Sequence, residues 1–251
     1  MKGVIATICP TATVIDLTHQ IPPQDIAAAQ FALLSAYPYF PVGTIHTVVV
    51  DPGVGTTRRA IALRTESGYL VGPDNGVLSG VIQHYRVIEA VALTNCQYWR
   101  SPHPSATFHG RDIFAPVAAY LATGVCFADL GQPLPRESLV RLDLPAPIQQ
   151  PDGILIGQIQ AIDHFGNLIT TIPAAAVPLE TSVTEARVTK VRVDVGSETM
   201  PLTNTYGAVS KGNLVAIIGS HGWLEVALNG GSAQTHCQAQ VGDLVRLQRG
   251  G

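Results

Sequence analysis

The proline-spaced stretch Pro145-Ala146-Pro147-Ile148-Gln149-Gln150-Pro151 separates two stretches of chain with different hydrophobic patterns. Proline fixes its own φ and lacks an N–H, so neither a helix interior nor a central strand runs through such a segment. Before it, short apolar runs alternate with helical ones. Gly3 to Cys9 is short and apolar, and Thr13 to Leu17 is a β-branched run. Pro22 and Pro23 open a helix over Gln24 to Ala36, with Asp25 favouring its N-terminus. Ile45 to Val50 reads as a strand ending at Asp51, and Ile61 to Arg64 pairs with Tyr69 to Val71 as a hairpin around Ser67-Gly68. Asn75-Gly76 precedes a short helix, and Ile113 to Thr123 has helical composition. This alternation predicts an α/β domain with a largely parallel sheet. After the prolines, Ile154 to Ile162, Leu168 to Ile172, Arg187 to Val195, Leu214 to Ile218 and Leu244 to Leu247 are short β-rich runs separated by turn residues. They predict a smaller antiparallel, barrel-like domain. The expected organisation is an α/β domain over 1–145, a linker over 146–152 and a β domain over 153–251.

Composition narrows the function classes. A net charge of −3 and a pI near 6.2 give no broad basic footprint for nucleic acid. Only 13% of residues are charged and mean hydropathy is +0.25, which leaves surface for partner subunits. Yet every apolar run is broken well short of the roughly 20 residues that cross a bilayer, so no membrane role is expected. Cys9, Cys96, Cys126 and Cys237 form no C-x-x-C pair; buried free thiols in a reducing cytoplasm are expected rather than disulfides or a zinc site. Met1-Lys2-Gly3, with Pro10 soon after, does not read as a signal peptide.

Four segments concentrate polar chemistry. Asp51-Pro52-Gly53-Val54-Gly55-Thr56-Thr57-Arg58-Arg59 puts an acid at a strand end before a glycine-containing loop, a place where open α/β sheets hold ligands. It lacks the Gly-Lys-Ser/Thr ending of a phosphate loop, and a capped turn with two solvated arginines explains it equally well. Phe108-His109-Gly110-Arg111-Asp112 sets a histidine before a helix, where Asp112 reads as a cap; a lone histidine there is more often a hydrogen-bonded loop residue. Asp163-His164-Phe165-Gly166-Asn167 is either a plain β-turn or a nucleoside pocket in which an amide pairs with a base and an aromatic stacks on it. The segment from Gly219-Ser220-His221-Gly222-Trp223 to Asn229-Gly230-Gly231-Ser232-Ala233 is unusually polar for a hairpin, although turn chemistry alone accounts for it.

Taken together, and in order, these segments resemble one family. Lys2 to Ile5, Val14 to His19, Ile21 to Ile26, Asp51 to Thr56, Pro73-Asp74-Asn75-Gly76, Phe108 to Asp112, Asp163 to Asn167 and Ser220 to Ala233 are similar to the S-adenosylmethionine hydroxide adenosyltransferases, relatives of the fluorinase and chlorinase. The resemblance spans nearly the whole chain. It implies an N-terminal α/β domain and a C-terminal β-barrel-like domain assembled as a homotrimer, with S-adenosylmethionine between the N-terminal domain of one subunit and the C-terminal domain of its neighbour. The implied reaction is hydrolysis to adenosine and methionine, with no cofactor and no metal.

Residue by residue, the resemblance assigns water activation to Asp51, Arg58 and His109; motif alignment alone separates Arg58 from its neighbour Arg59. It assigns substrate binding to Asp163, Phe165, Asn167, Ser220, Glu225 and Asn229. Tyr206 is a candidate for stacking on adenine, or an ordinary half-buried strand aromatic. Halide-using relatives carry hydroxyl side chains where this chain has Val54 and Gly110, and lack the acid that stands here as Asp51; both differences favour water. Family members also carry, before the Met-Lys-Gly segment, a strand whose Asp grips the ribose hydroxyls. That strand is absent here, and an authentic start upstream is the expected explanation. The competing classes are a non-catalytic nucleoside-binding trimer and a halogenase.

Overall fold

The computed structural model describes residues 1–142, 145–177 and 191–249, and the chain divides into two compact units, Met1–Leu142 and Asp143–Gly251.

In the first unit the elements run α1 (Lys2–Ile8), α2 (Ile26–Ala36), β1 (Thr44–Thr47), β2 (Ala60–Thr65), β3 (Gly68–Pro73), α3 (Ser79–His84), β4 (Val87–Ala92), a π-helical turn (Gly110–Phe114) continuing into α4 (Ala115–Ala122), and β5 (Gln132–Pro133). Asp25 caps α2, its carboxylate accepting from the Ala28 N–H at 2.9 Å. The sheet order is β1-β3-β2-β4-β5. Side chains alternate across it: Ile61, Leu63 and Leu70 share a core with Ala29 and Leu33 of α2, whereas Ala62 and Val71 share one with Phe114 and Val117. The result is a sheet covered on both faces.

The expected largely parallel sheet is corrected. Only β1–β3 is parallel; β2–β3, β2–β4 and β4–β5 are antiparallel. Near-continuous apolar runs report burial on both faces, and strand direction is set by the connections. Here Thr65 closes the β2–β3 turn, its hydroxyl accepting from the N–H groups of Ser67 at 3.1 Å and Gly68 at 3.0 Å, too tight a link for a parallel crossover. Two further readings change. Gly3 to Cys9 is helical over Lys2–Ile8 rather than extended, an ambiguity inherent in short apolar runs, and 13–17 forms no strand. Of the thiols only Cys9 is buried; Cys96 and Cys126 are exposed.

The second unit is an antiparallel, barrel-like sheet: β6 (Ile148–Gln149), β7 (Leu155–Ile162), β8 (Leu168–Pro173), β9 (Val191–Val195), β10 (Glu198–Pro201), β11 (Leu214–Ile218), β12 (Trp223–Leu228), α5 (Ala233–Cys237) and β13 (Leu244–Arg249). The strand order is β10-β9-β13-β7-β8-β12-β11, with β6 on β7. Beyond β10, Leu202 bridges to Ala216 of β11, and Thr203 N–H donates to the Ala216 carbonyl at 2.8 Å, which nearly closes the barrel. Inward-facing Ile159, Leu168, Val193, Leu224 and Leu247 fill it. The strand expected over 187–195 is seen from Val191; residues 187–190 lie outside the described residues.

Candidate active site

In the first unit the chain leaves β1 through Val48, Val49 and Val50 and reaches Asp51 at the start of a loop that ends at β2. Gly55 makes this loop possible: its φ is +75°, and a Cβ there would run into the Ala106 carbonyl of the loop that precedes His109. The two loops therefore touch backbone to backbone, and residues far apart in sequence come together.

Arg58 is the hub. Its Nε donates to Asp51 Oδ1 at 2.8 Å, and its Nη2 donates both to Asp51 Oδ2 and to His109 Nδ1, the latter at 2.9 Å. Its guanidinium carbon also lies 5.4 Å from the centre of the buried Phe114 ring. The side chains of Arg58 and Asp51 are only 10% and 5% exposed, so this is a buried, bidentate pair. Arg58 Nη1 is buried and has no hydrogen-bond partner among the described residues.

The same contacts fix the state of His109. A guanidinium only donates, so Nδ1 is the acceptor and Nε2 carries the proton of a neutral imidazole. Burial, followed by the Arg58 charge, lowers the His109 pKa below its ordinary value, against the opposing pull of Asp51 and Asp112. His109 is thereby a neutral Nε2–H donor. Asp112 is not a helix cap: it sits inside the π turn and accepts from the Ser105 N–H at 2.9 Å and from Arg111 at 2.7 and 2.8 Å, which ties the loop before His109 to the helix behind it.

The two arginines part company here. Arg59 turns away from this cluster and pairs with Asp74, whose side chain is 2% exposed, while also reaching Ser138. Neighbouring side chains on an extended segment point to opposite sides, so only Arg58 meets Asp51 and His109.

In the second unit Asp163, Phe165 and Asn167 occupy one turn between β7 and β8. Asp163 is spent inside it: Oδ1 accepts from the Phe165 and Asn167 N–H groups at 2.9 Å, and Oδ2 from Asn167 Nδ2 at 2.9 Å. Phe165 is left 73% exposed, its ring in solvent, while Asn167 is buried. Gly166 (φ +81°) lies against Ser232, and its carbonyl accepts from the Gln234 N–H at 2.9 Å, so the turn rests on the start of α5.

A second group is strung along β12. The buried Glu225 accepts from Tyr206 Oη at 2.8 Å and from His221 Nε2 at 3.0 Å. His221 Nδ1 accepts from the Trp223 N–H at 3.1 Å, which assigns the proton to Nε2. Burial, then the bond to Glu225 and its charge, push the Tyr206 pKa up to about 12, with Asp163 adding to the effect; the phenol stays a donor. Tyr206 belongs to a short 3₁₀ turn rather than a strand. Ser220 is exposed in the turn before β12. Asn229, four residues beyond Glu225, is engaged elsewhere, donating from Nδ2 to the Val209 carbonyl at 2.7 Å. Sequence reasoning gave no role to His221 or to Asp74 and Asn75; the polar density around Gly219-Ser220 and the Pro73 to Gly76 motif were the available signals. No group of metal-ligating side chains occurs among the described residues. No described helix is long and apolar enough to cross a membrane.

Comparison with known proteins bears on both units. Residues 1–131 match the model of the SAM hydroxide adenosyltransferase N-terminal domain, and residues 157–246 match that of the C-terminal domain. An (R)-S-adenosyl-L-methionine hydrolase of Salinispora tropica is 42% identical over 250 residues, covering 99% of this chain and 91% of the relative. A protein of the same name from Thermus thermophilus is 40% identical over 258 residues, covering 98% of this chain and 92% of its own. A fluorinase of Actinoplanes is more distant, at 29% identity over 91% of this chain and 85% of its own. A crystal structure of an uncharacterized conserved protein from Thermotoga maritima superposes with a TM-score of 0.90 at 39% identity, over 99% of this chain and 93% of that one. Both halves of the chain thus carry the same signature, and the chain belongs to the SAM hydroxide adenosyltransferase family.

Proposed function

We propose that the protein hydrolyses S-adenosyl-L-methionine to adenosine and L-methionine, with Asp51, Arg58 and His109 handling the water. The observation that carries the site assignment is Arg58, which bridges Asp51 and His109 through charge-assisted hydrogen bonds. Water attacks the ribose C5′ carbon in line with the sulfonium. The O–C5′ bond forms, the C5′–S bond breaks, and its electron pair stays on the sulfur of methionine. Sulfonium is already a good leaving group, so the site needs only a held, partly desolvated nucleophile. Asp51, the anion of the three, accepts a hydrogen bond from the water and takes its proton as the O–C5′ bond forms; Arg58 holds Asp51 in place, and His109 Nε2 donates to the remaining lone pair of the water oxygen.

Water rather than halide fits the surroundings. Val54 offers no hydroxyl, and a side chain at Gly110 would come within 3.1 Å of Val49 Cγ1. The exposed Phe165 ring suits stacking on adenine, and the pre-built turn of Asp163 and Asn167 supports the base, with Tyr206, Ser220, Glu225 and Asn229 as the further binding positions. From the family resemblance we infer a cytoplasmic homotrimer with the substrate bound at the boundary between subunits. The exposed Ile15, Val14, Leu17 and Phe108 supply apolar surface for it. The reaction uses no cofactor or metal.

The test is chromatography of adenosine and methionine after incubating purified protein with S-adenosyl-L-methionine, with and without EDTA. Turnover that is indifferent to EDTA and falls by about 100-fold or more in Asp51→Asn is expected. Adenosine binding without turnover would replace the enzyme with a binding protein, 5′-halo-adenosine formed in added chloride or fluoride would make it a halogenase, and a monomer in sedimentation would remove the shared site.

A further inference from the structure

We propose that Asp74 and Asn75 are positioning residues that hold the Asp51–Arg58–His109 cluster by pinning the two ends of the loop that carries Asp51 and Arg58. The inference rests on the hydrolase reading for its activity arm only.

Asn75 Nδ2 donates to the Val50 carbonyl at 2.9 Å, and so holds the peptide that leads directly into Asp51. Asn75 Oδ1 is meanwhile occupied by the Val77 N–H at 3.1 Å, which fixes the orientation of the amide. At the other end of the loop Asp74 takes the residue after Arg58. Its N–H donates to the Arg59 carbonyl at 2.9 Å, and its Oδ2 accepts from Arg59 Nε at 2.8 Å. Its Oδ1 accepts from the Val140 N–H at 2.9 Å, anchoring the pair to a segment outside the loop. Two consecutive side chains at the end of β3 therefore grip the loop where it begins and where it ends.

Between these points the backbone N–H groups of the loop make only long bonds, and its short internal bonds are made by side chains, Thr56 Oγ1 to the Gly53 carbonyl at 2.7 Å and Arg58 to Asp51. Val54 N–H reaches the Asp51 carbonyl at 3.2 Å, Thr56 N–H the Gly53 carbonyl at 3.2 Å, and Arg58 N–H the Thr56 hydroxyl at 3.3 Å. With Arg59 fastened on one side of the backbone, Arg58 is committed to the other, onto Asp51 and His109. Neither Asp74 nor Asn75 hydrogen-bonds to these three side chains; Asn75 acts through the Val50 carbonyl and Asp74 through Arg59. A displacement of about 1 Å in a reacting group costs up to about 100-fold in rate, so the brace has measurable leverage.

Asn75→Asp replaces the donor to Val50 with an oxygen at constant shape, and Asp74→Asn removes the anion facing Arg59. Each is expected to lower kcat for adenosine release by about 10- to 100-fold with KM changed little. The second readout needs no turnover: nuclear magnetic resonance titration of the His109 ring. In Asp74→Asn, where the Asn75 hold on the peptide before Asp51 remains, Arg58 moves off and the His109 pKa should rise toward its ordinary value, with burial still holding it below; in Asn75→Asp the freed Asp51 no longer opposes the shift and the pKa should fall further. Unchanged kcat together with an unchanged His109 titration in folded variants overturns the proposal. Should a single variant fail to fold, Arg59→Gln/Asp74→Asn leaves no buried charge unpaired and is judged by the same readouts. A parent protein that releases no adenosine sinks the hydrolase reading, and the His109 titration then decides the brace by itself.

Discussion

Replacing Arg58 by glutamine while keeping Asp51 strips a buried carboxylate of its counter-charge. Asp51 is 5% exposed and receives two charge-assisted hydrogen bonds from Arg58, one of them at 2.8 Å, so little solvent is at hand to replace them. Breaking such a pair from one side costs about 3–5 kcal/mol, because the surviving charge is left desolvated. In a chain of this size that corresponds to a fall of about 10 °C in Tm. Asp51→Asn should cost a similar amount by stranding the guanidinium. The double variant Asp51→Asn/Arg58→Gln leaves two neutral amides in the same space and should recover a coupling energy of about 1–3 kcal/mol. Urea unfolding of the four proteins measures the cycle, and adenosine release measures turnover in parallel. The pattern expected is a stability loss that the double variant repairs and a loss of activity that it does not. If Arg58→Gln unfolds within about 0.5 kcal/mol of the parent, the pair is effectively solvated and the desolvation argument fails.

Three other outcomes follow from the structure. His46, buried between the Tyr37 and Phe40 rings at 4.7 and 5.2 Å, has its pKa pushed by burial from 6.5 down to about 4. The unfolded chain therefore binds the extra proton first: stability is full above about pH 6.5 and falls by up to about 3 kcal/mol as pH drops toward 4, and His46→Phe should flatten that slope in unfolding measured against pH. Gly55→Ala combines a positive φ with a clash on the Ala106 carbonyl, so it should cost about 1–3 kcal/mol in urea unfolding and most of the adenosine release; an alanine variant with parental turnover would refute the close approach of the two loops. Phe165→Ala removes an exposed ring, so Tm should stay within about 1 °C while KM for S-adenosyl-L-methionine rises about tenfold; a lowered Tm with unchanged KM would show the ring to be structural.

How far the sequence could be read depended on whether the relevant interaction was local. The Asp163 to Asn167 turn was legible because Gly166 and the short polar side chains announce it, and its hydrogen bonds close within five residues. The helix start near Asp25 was legible within two residues: the sequence placed Asp25 in the first turn of a helix from Gln24, and the structure makes it the N-cap of a helix from Ile26, with Gln24 at φ +68°. Strand direction in the first unit was not: the apolar runs of β2 and β3 state that both faces are buried, and the tight turn at Thr65 that reverses the chain is a single hydroxyl accepting two N–H groups. The cluster itself lies between these cases. Nothing in residues 51–59 indicates which arginine turns toward a histidine fifty residues later; family likeness suggested Arg58, and the geometry adds the reason, which is that Asp74 holds Arg59 on the other side. His46, whose titration dominates the expected acid response, gave no signal at all, since burial by Tyr37 and Phe40 is a tertiary fact.

The bare contact between Gly55 and the Ala106 carbonyl has a consequence for protein engineering. With no side chain between them, the two loops behave as a matched pair whose spacing is set by main-chain atoms, and no repacking can absorb a change in the length of either. A graft of residues 51–59 from a relative should therefore succeed only when residues 103–109 travel with it. The smallest transferable cassette of this site is therefore discontinuous in sequence, and recombination libraries with a single crossover between the two loops should be depleted of active members.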